Sequence, residues 1–400
     1  MNYRLGEICE IVRGGSPRPI MNFVTNSSDG VNWLKIGDVS EFDKYFIKSA
    51  ERITKEGALH SREVIKGDLI LSNSMSFGRP FITLIDGYIH DGWLRVRNDP
   101  DLVDREYLYY FLSSDLAQNQ FQAVATGSVV NNLKSETVKA VIIDLPQLPA
   151  QRKIAATLSV LDARITANNA INHHLEQMAQ AIFKSWFVDF KPFGGIMPAT
   201  WITSRAEDFF DISIGKTPPR KEPQWFTSNS NDVIWVSISD MSNCGVFVSD
   251  SSEYLTAESV ERFNIKVVPS GTVLLSFKLT VGRVAITDGE MTTNEAIAHF
   301  KRLDNIATEY LYYYLKMFDY QVLGNTSSIA TAVNSKTIRA MPFVMPDEKV
   351  LQEFHAATAS MFEQIRVNLE ESARLATLRD TLLPRLMSGE LSVSDIDPDK

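Results

Sequence analysis

Two long stretches of the chain place apolar residues at alternating steps of three and four positions. Ile154, Leu161 and Ile165 follow this spacing in the first stretch, and Phe354 and Ile365 occupy equivalent positions 200 residues later. Such spacing is typical of a helix that buries one narrow apolar stripe against another helix. The sequence therefore predicts a coiled-coil seam in each stretch.

The two predicted helices span residues 147–190 and 347–389. Prolines, among them Pro146 and Pro384, lie at the edges of these segments and not in their middle, as a continuous helix requires. At the rise of an α-helix, each segment would be about 55–60 Å long. Both segments are thus long enough to separate the domains that they connect.

Polar residues interrupt both apolar stripes at mid-length, at Asn168, Asn172, Asn368 and Ser372. One explanation is that polar residues are tolerated in a solvated part of the stripe. The other is that the two helices pair antiparallel and cross at mid-length. Asn168 and Asn368 would then face each other near a pseudo-two-fold axis and fix the helix register at some loss of stability.

The rest of the chain repeats itself after about half its length. Residues 33–38 return as 235–240, and residues 106–110 are repeated without change as 309–313. Five such blocks keep the same order, and their offset stays between 200 and 204 positions. We therefore predict an internal duplication.

The duplication defines four segments of the chain. Short apolar runs punctuated by Gly, Pro, Asn, Asp and Ser predict a compact α/β domain in residues 1–145 and again in 201–345. Residues 146–200 and 346–400 contain the long helices, a linker and a tail. The predicted fold class is α/β (α+β): two globular domains joined by two long antiparallel coiled-coil helices, with an internal pseudo-two-fold repeat.

Two repeated features have competing explanations. The tyrosines of 106–110 and 309–313 are suited to stacking on bases, but their helical spacing favours packing in a core. Asp38 and Asp240 follow strand-like segments that contain tryptophan, and we expect them to cap a turn.

Composition changes this picture little. The 400 residues include 40 Lys and Arg against 49 Asp and Glu, which gives a net charge of -9. Because 44% of the residues are hydrophobic, the chain can bury a sizeable core. Cys9 and Cys244 cannot form a disulfide framework, and the start of the chain lacks the pattern of a signal peptide. We expect a protein of a reducing cytoplasm without a membrane-spanning segment.

Motifs of the common enzyme classes are missing from the sequence. Gly215, Lys216 and Thr217 look like the end of a P-loop, but Phe210 occupies the position of the earlier glycine and two prolines follow. The sequence has no GxGxxG after a strand, no HExxH and no GxSxG. We therefore predict no catalytic residues, no metal site and no cofactor.

The ends of the long helices carry distinctive motifs. These are Leu-Pro-Ala-Gln-Arg-Lys-Ile at 148–154, Phe-Lys-Ser-Trp-Phe-Val-Asp-Phe at 183–190 and the segment 378–391 that contains Leu-Leu-Pro-Arg-Leu-Met-Ser-Gly. With these motifs, the chain resembles the DNA-specificity subunits (S subunits, HsdS) of type I restriction–modification enzymes. The resemblance covers essentially the whole chain.

The resemblance implies a non-catalytic subunit that determines DNA sequence specificity. Each of two target recognition domains would recognise one half of a bipartite, gapped site in double-stranded DNA, and the two helices would set the spacing. It also implies that two methyltransferase (M) subunits dock on the helices and that restriction/translocase (R) subunits join the full complex. The net charge of -9 would then limit non-specific affinity and leave the methyltransferase subunits to enclose the duplex.

Two other functions remain open from the sequence. The chain is alternatively an orphan specificity subunit that serves a methyltransferase without a nuclease. A duplicated protein–protein scaffold that does not bind DNA is the alternative from another class. Salt-dependent binding to a gapped DNA site would separate DNA recognition from scaffolding.

We predict that DNA contacts lie on loops bracketed by glycine or proline, because base contacts require polar side chains on a rigid domain and phosphate contacts require Lys or Arg. In the first domain the candidates are Arg18, Lys35, Ser74, Ser76, Arg79, His90, Asp91 and Ser128; in the second they are Thr217, Arg220, Lys221, Lys278, Thr280, Arg283, Thr293, Asn294 and Ser328. The pairs Gly78-Arg79 and Gly282-Arg283 stand out because both halves retain them after a strand that contains serine. Each arginine can equally be a structural ion-pair partner.

Overall fold

The computed structural model describes residues 1–39, 44–73, 78–125, 133–302, 306–323 and 333–392. The chain forms two compact units. Unit 1 comprises Met1–Thr166 and Ser372–Lys400, and unit 2 comprises Ala167–Glu371. The boundary falls within both long helices, so each unit contains a part of each helix.

Unit 1 is a mixed α/β domain. Its strands are β1 (Asn2–Arg4), β2 (Cys9–Arg13), β3 (Val31–Leu34), β4 (Tyr45–Phe46), β5 (Glu51–Ile53), β6 (Arg62–Val64), β7 (Leu69–Ser72), β8 (Pro80–Thr83), β9 (Gly87–Ile89), β10 (Trp93–Asn98) and β11 (Ile142–Asp144). Its shorter helices are α1 (Leu5–Ile8), α2 (Lys55–Ala58), α3 (Arg105–Ser113), α4 (Asp115–Ala125) and α5 (Ser135–Ala140). The strands form sheets with the orders β2-β10-β7-β8-β4, β5-β3-β9-β6 and β1-β11.

The first long helix is α6, which spans Leu148–Phe183. A turn of π-helix at Lys184–Val188 continues it. The apolar spacing therefore placed this helix correctly, but the α-helical geometry ends several residues before the predicted limit at residue 190.

Unit 2 repeats the architecture of unit 1. Its strands are β12 (Ile202–Arg205), β13 (Phe210–Ile214), β14 (Phe226–Thr227), β15 (Val233–Val236), β16 (Phe247–Val248), β17 (Tyr254–Leu255), β18 (Val273–Ser276), β19 (Val284–Thr287), β20 (Thr292–Thr293), β21 (Ile297–Arg302) and β22 (Pro342–Met345). Its shorter helices are α7 (Asp240–Asn243), α8 (Ala257–Arg262), α9 (Thr308–Met317) and α10 (Ser335–Arg339). The sheets have the orders β13-β21-β18-β19-β16, β14-β17-β15-β20 and β12-β22.

The five-stranded sheets of the two units have equivalent strands in equivalent places. In both, the central strands are antiparallel, and one short edge strand is parallel to its neighbour: β4 pairs with β8, and β16 pairs with β19. The sequence duplication therefore corresponds to a duplicated sheet topology.

The second long helix is α11, which spans Glu348–Met387. Pro384 lies inside it and not at its edge, which corrects our expectation for this proline. The helix continues because the carbonyl of Pro384 still accepts a hydrogen bond from the amide of Ser388, at 2.9 Å.

Both long helices contribute to the core of each unit. In unit 1, Leu158 of α6 and Leu386 of α11 belong to the hydrophobic cluster that includes Leu94 of the sheet. In unit 2, Phe183 of α6 and Phe354 of α11 belong to the equivalent cluster. The apolar stripes of the helices are thus buried against the globular parts as well.

The repeated tyrosines also lie in these cores. Tyr107, Tyr110, Tyr310, Tyr312 and Tyr313 are at most 2% exposed. Tyr109 is half-buried and packs against the core of unit 1. Core packing is therefore the correct explanation of the pattern, and the five buried tyrosines do not offer ring faces to bases.

An ionic group in unit 1 joins α6, α11 and the segment before β4. Arg379 Nη1 lies 2.8 Å from one carboxylate oxygen of Asp162, and Lys44 Nζ lies 3.7 Å from the other. The hydroxyl of Tyr110 also donates a hydrogen bond to Asp162. The Asp162 side chain is only 14% exposed, so this carboxylate balances two cations away from water.

We expect Asp162→Ala to lower the free energy of unfolding by about 3 kcal/mol, because it removes the buried counter-charge of Arg379 and the acceptor of the Tyr110 hydroxyl. Lys44 keeps a second carboxylate partner, Glu106, at 2.8 Å. Asp380→Ala is the matched control: it removes an exposed carboxylate that also contacts Arg379, and it should change stability by less than about 1 kcal/mol. Urea unfolding measures both values. Equal destabilisation by the two variants would contradict this assignment.

Candidate nucleic-acid interface

A glycine loop after β2 lies close against the segment between β9 and β10 in unit 1. The amide of Gly14 donates to the carbonyl of Trp93 at 2.9 Å, and that of Gly15 to the carbonyl of Ile89 at 3.1 Å. A Cβ atom on Gly14 would lie 2.1 Å from the carbonyl oxygen of His90. Glycine is therefore required here for the two backbones to meet.

Asp91 connects three loops of unit 1. Its carboxylate accepts a hydrogen bond from Ser16 Oγ at 2.8 Å, and its carbonyl accepts one from Asn73 Nδ2 at the end of β7, at 2.7 Å. Arg18 Nη2 lies 3.6 Å from the same carboxylate. The loop after β2, the loop after β7 and the segment between β9 and β10 thus meet at one end of unit 1.

The equivalent loops of unit 2 meet in the same way. A Cβ atom on Gly215 would lie 2.2 Å from the carbonyl oxygen of Asn294. The hydroxyl of Thr217 donates a hydrogen bond to the carboxylate of Glu295. Beyond the end of β18, the amide of Phe277 donates to the carbonyl of Ala296 at 2.9 Å, so the third loop joins this cluster as well.

The turns after β3 and β15 complete each cluster. The Asp38 carboxylate accepts from the amide of Lys35 at 3.0 Å, and that of Asp240 accepts from the amide of Ser237 at 2.8 Å. Both aspartates therefore cap turns, as their positions in the sequence predict. His90 links this turn to the cluster in unit 1, because its Nε2 atom lies 3.1 Å from the amide nitrogen of Ile36.

The Gly-Arg pairs that end the turns after β7 and β18 have similar backbone geometry in the two units. Gly78 and Gly282 have φ angles of 75° and 93°. The amide of Arg79 donates to Ser72 Oγ at 3.0 Å, and the amide of Arg283 donates to Ser276 Oγ at the same distance. This repeated hydrogen bond explains why each turn keeps a serine before the glycine.

The two arginine side chains have different surroundings. Arg283 Nη1 donates to the carbonyl of Ile238 at 2.7 Å, so part of this guanidinium holds the neighbouring turn. The guanidinium carbon of Arg79 lies 5.6 Å from the centre of the Phe81 ring. Both side chains are half-buried, which makes them components of the loop structure as well as candidate contacts.

Arg220, in the loop after β13, has a carboxylate and two aromatic rings as partners. Its two terminal nitrogens each lie 2.8 Å from an oxygen of Glu253. Its guanidinium carbon lies 4.2 Å from the ring centre of Phe226 and 4.7 Å from that of Trp235. The side chain is 50% exposed, so its guanidinium reaches the surface in an orientation that Glu253 and the two rings define.

The charges of the unit 1 cluster are set by local contacts. Burial lowers the pKa of His90, so the imidazole is held neutral at neutral pH. Burial opposes ionisation of Asp91, but the Ser16 hydrogen bond and the nearby His90 and Arg13 outweigh it and lower the pKa of Asp91. Lys35 forms an ion pair with Glu51. The cluster therefore keeps an anionic Asp91 next to the exposed Arg18.

The predicted contact residues other than Thr293 fall into three groups. Exposed side chains belong to Arg18, Arg220, Lys221, Lys278 and Thr280, and half-buried ones to Lys35, Arg79, His90, Asp91, Thr217, Arg283 and Asn294. Ser74, Ser76, Ser128 and Ser328 lie outside the described residues. The loops that carry the described candidates converge within each unit.

Thr293 is the wrong choice as a DNA contact. Its side chain is fully buried, with 0% exposure, and its hydroxyl lies 2.7 Å from His299 Nε2. Ser213 Oγ lies 3.1 Å from the other ring nitrogen of His299. Thr293 thus belongs to a buried polar chain inside the unit 2 sheets. The sequence pattern of two threonines and an asparagine did not distinguish the buried residue from its half-exposed neighbour Asn294.

Sequence reasoning missed several residues that organise the clusters. Ser16, Asn73 and Glu295 each hold a neighbouring loop through a side-chain hydrogen bond. Ser16 and Asp91 are 75 residues apart in the chain, so no local spacing relates them. Glu295 directly follows the predicted contact Asn294. This neighbouring position is the feature of the sequence that could have identified Glu295 as part of the cluster.

Neither a membrane span nor a metal site is found in the part of the chain that the structure describes. Within the described ranges, no helix is both long enough and apolar enough to cross a membrane. In the same part of the chain, no three His, Cys, Asp or Glu side chains are grouped so that they could bind a metal ion.

Known proteins resemble the chain over almost its full length. The family model of the type I restriction modification DNA specificity domain matches residues 1–177 and again 198–379. The type I restriction enzyme MjaIX specificity subunit of Methanocaldococcus jannaschii is 24% identical, over 98% of this chain and 94% of that protein. The HindI specificity subunit of Haemophilus influenzae is 23% identical, over 97% of this chain and 99% of that protein.

A solved structure supports the same fold. The S subunit of a type I restriction–modification system from M. genitalium aligns with a TM-score of 0.54, over 96% of this chain and 95% of that chain. The two sequences are 14% identical in this alignment. At that identity the similarity concerns the fold alone.

The buried His299 predicts that acid destabilises the protein. Burial, with a contribution from Lys266, lowers the pKa of His299 to about 4, whereas an exposed imidazole titrates near ~6.5. Between these values the unfolded chain binds a proton that the folded chain does not. Stability should therefore fall as the pH drops through this window, by on the order of 3 kcal/mol in total.

The variant His299→Gln should lose most of this pH dependence, because glutamine keeps a donor and an acceptor but does not titrate. His60→Gln, at an exposed histidine, is the control and should keep the wild-type dependence. Urea unfolding across the window measures the slopes. The same slope in wild type and His299→Gln would show that His299 is not the responsible group.

Proposed function

We propose that this chain, which belongs to the family of type I restriction–modification DNA specificity subunits, is the non-catalytic subunit that recognises DNA in such a complex. Each unit would recognise one half of a bipartite, gapped site in double-stranded DNA. The observation that carries this proposal is the duplicated loop cluster: the same loops converge in unit 1 and in unit 2, and both clusters expose basic side chains.

The exposed side chains of the two loop clusters differ, which supports half-sites of different sequence. Unit 1 presents Arg18 beside Asp91, and unit 2 presents Arg220, Lys278 and Thr280. Cationic side chains favour phosphate oxygens and the acceptor edge of guanine, while carboxylates and hydroxyls accept from cytosine or adenine. Because the loops differ in these residues while the turns that hold them are alike, we infer that the two half-sites have different sequences.

We further propose that α6 and α11 form an antiparallel coiled-coil pair, with a pseudo-two-fold axis near its middle, that fixes the spacing of the half-sites. Contacts within the units support this pairing. Asn368 Nδ2 donates to Asn172 Oδ1 at 2.8 Å, and Asn168 Nδ2 lies 3.4 Å from the carbonyl oxygen of Asn368. The rings of Trp186 and Phe354 are centred 6.0 Å apart. Trp186, in the π-helical turn that continues α6, is later in the chain than Asn172, whereas its partner Phe354 is earlier in α11 than Asn368. This order of partners is that of an antiparallel pair.

The partners in this proposal are DNA, two methyltransferase subunits and, in a complete restriction enzyme, restriction/translocase subunits. The complex would act in the cytoplasm. Without a nuclease partner, the same chain would serve a methyltransferase alone as an orphan specificity subunit. A restriction assay of the assembled complex distinguishes these two cases, because only the first cuts unmethylated DNA.

The experiment that tests the proposal expresses the chain with its methyltransferase subunit in a host and maps the methylated bases of the genome. We expect methylation at one bipartite motif with a fixed gap. Purified complex should then bind that motif with an affinity that falls as salt rises, since phosphate contacts release counter-ions. A complex that forms but leaves the DNA unmethylated and binds no DNA would favour the scaffold.

Lys278→Ala should weaken binding to the target and reduce the slope of log affinity against log salt by about 1, the value for one phosphate contact. Lys301→Ala, at an exposed lysine of β21 away from the loop cluster, is the matched control and should leave the slope unchanged. In unit 1, Arg18→Ala with Lys66→Ala as control gives the corresponding pair. Equal effects of Lys278→Ala and Lys301→Ala would contradict the assigned interface.

The triple variant Asn168→Leu, Asn172→Leu and Asn368→Leu should raise the melting temperature, because it replaces buried amides (all three side chains are at most 6% exposed), including both partners of the Asn368–Asn172 hydrogen bond, with apolar groups. If the asparagines fix the helix register, the variant should also tolerate targets whose gap differs by a base pair. Nuclease footprints on targets of different gap length measure this tolerance. A more stable variant with the wild-type gap preference would show that the asparagines do not set the register.

A further inference from the structure

Leu279 has an unusual combination of exposure and backbone conformation. It lies in the loop between β18 and β19, and 98% of its side chain is exposed. Its φ angle is 62°, in the left-handed region that leucine rarely adopts, because the Cβ atom crowds the following carbonyl group. A leucine at this position neither stabilises the turn nor contributes to the core.

The loop nevertheless holds Leu279 in a defined orientation. The amide of Thr280 donates to the carbonyl of Lys278 at 2.7 Å and closes a tight turn around Leu279. Ser276 Oγ donates to the carbonyl of Thr280 at 2.5 Å. The amide of Gly282 donates back to the carbonyl of Ser276 at 3.0 Å. The side chain therefore projects from a turn that three hydrogen bonds close.

The apolar surface at this loop is small and surrounded by polar groups. Phe277 and Val281, on either side, pack against the core of unit 2. Lys278 and Thr280, the direct neighbours of Leu279, are exposed. A hydrophobic interface with a protein requires a continuous apolar patch. A single leucine between a lysine and a threonine is instead suited to a charged, polar partner that carries one isolated apolar group.

DNA presents such a group in its major groove. The C5-methyl group of thymine is the apolar feature among the donors and acceptors of the base edges, and apolar side chains contact it directly. Lys278 carries the positive charge that a phosphate contact uses, and Thr280 carries a hydroxyl of the kind that contacts base edges. These residues lie in the loop cluster that unit 2 presents for DNA.

We propose that Leu279 contacts the C5-methyl group of a thymine in the half-site recognised by unit 2. This inference rests on the proposed function and adds one base contact to it. It assigns part of the sequence preference to an apolar contact, which lies outside the polar and charged residues predicted from the sequence. The turn around Leu279 would hold its side chain in place before DNA arrives, so the contact requires little ordering on binding.

The test removes each partner of this contact separately and then together. In the target of the wild-type complex with its methyltransferase, each thymine is replaced in turn by deoxyuridine, which lacks only the methyl group. We expect one substitution, in one half-site, to weaken binding by about fourfold, the value of burying one methyl group. Leu279→Ala should weaken binding to the normal target by a similar factor and should be insensitive to that substitution.

Two controls keep the result specific. Leu279→Gly removes the side chain and also relieves the left-handed strain, so it should bind like Leu279→Ala while it raises the melting temperature. Ile202→Ala truncates another exposed apolar residue of unit 2, on β12 (59% exposed), and should retain the wild-type response to deoxyuridine. Both variants change exposed positions and should fold.

Each outcome decides the matter. If Leu279→Ala and wild type respond identically to every deoxyuridine, the inference is wrong while recognition of a bipartite site stands. If Leu279→Ala weakens assembly with the methyltransferase instead, the leucine contacts protein, and the inference is again wrong. A complex that binds no specific DNA at all would overturn the proposed function itself.

Discussion

Burial of the long helices is the constraint on which the rest of the structure depends. Each helix carries an apolar stripe that would be exposed if the helix stood alone, and exposure of such a stripe is unfavourable. Unit 1 buries the first part of α6 together with the last part of α11, and unit 2 buries the remaining parts. Each domain therefore completes its core with a helix segment from the other half of the duplicated sequence. Neither repeat contains all the residues of its own hydrophobic cluster, so the two repeats depend on each other for stability.

Because the helices complete the cores, the core of each unit and its loop cluster are built from different parts of the chain. The helix segments and the tyrosine-rich helices supply the core, while glycine turns at the sheet ends bring three loops together. Gly14 and Gly215 permit the same close backbone approach in the two units, and the serine–arginine hydrogen bonds are equal in length. Side chains at the loop surface are free to differ without disturbing these supports. A duplicated framework can thus carry two different recognition surfaces.

The sequence predicted the features that repeat or follow a period. Alternating steps of three and four located both long helices, and exact repetition assigned the tyrosines to the core. It could not predict contacts between residues far apart in the chain, such as Asp162 with Arg379 or Ser16 with Asp91, because these depend on the folded arrangement. It failed at Thr293, since a polar residue in a short strand gives no local sign that its hydroxyl is buried against His299. It gave no sign of Leu279, because an apolar residue in a loop lacks the charge or hydrogen-bonding groups that indicate a DNA contact.

The central claim is that two units of one chain recognise two half-sites at a distance fixed by paired helices. The most direct measurement is the affinity of the complex with its methyltransferase for duplexes in which both half-sites are unchanged and the gap is longer or shorter by one base pair. The account predicts that either change weakens binding at least about tenfold, since one base pair shifts and rotates one half-site relative to the other. Equal affinity for all three gap lengths would contradict it.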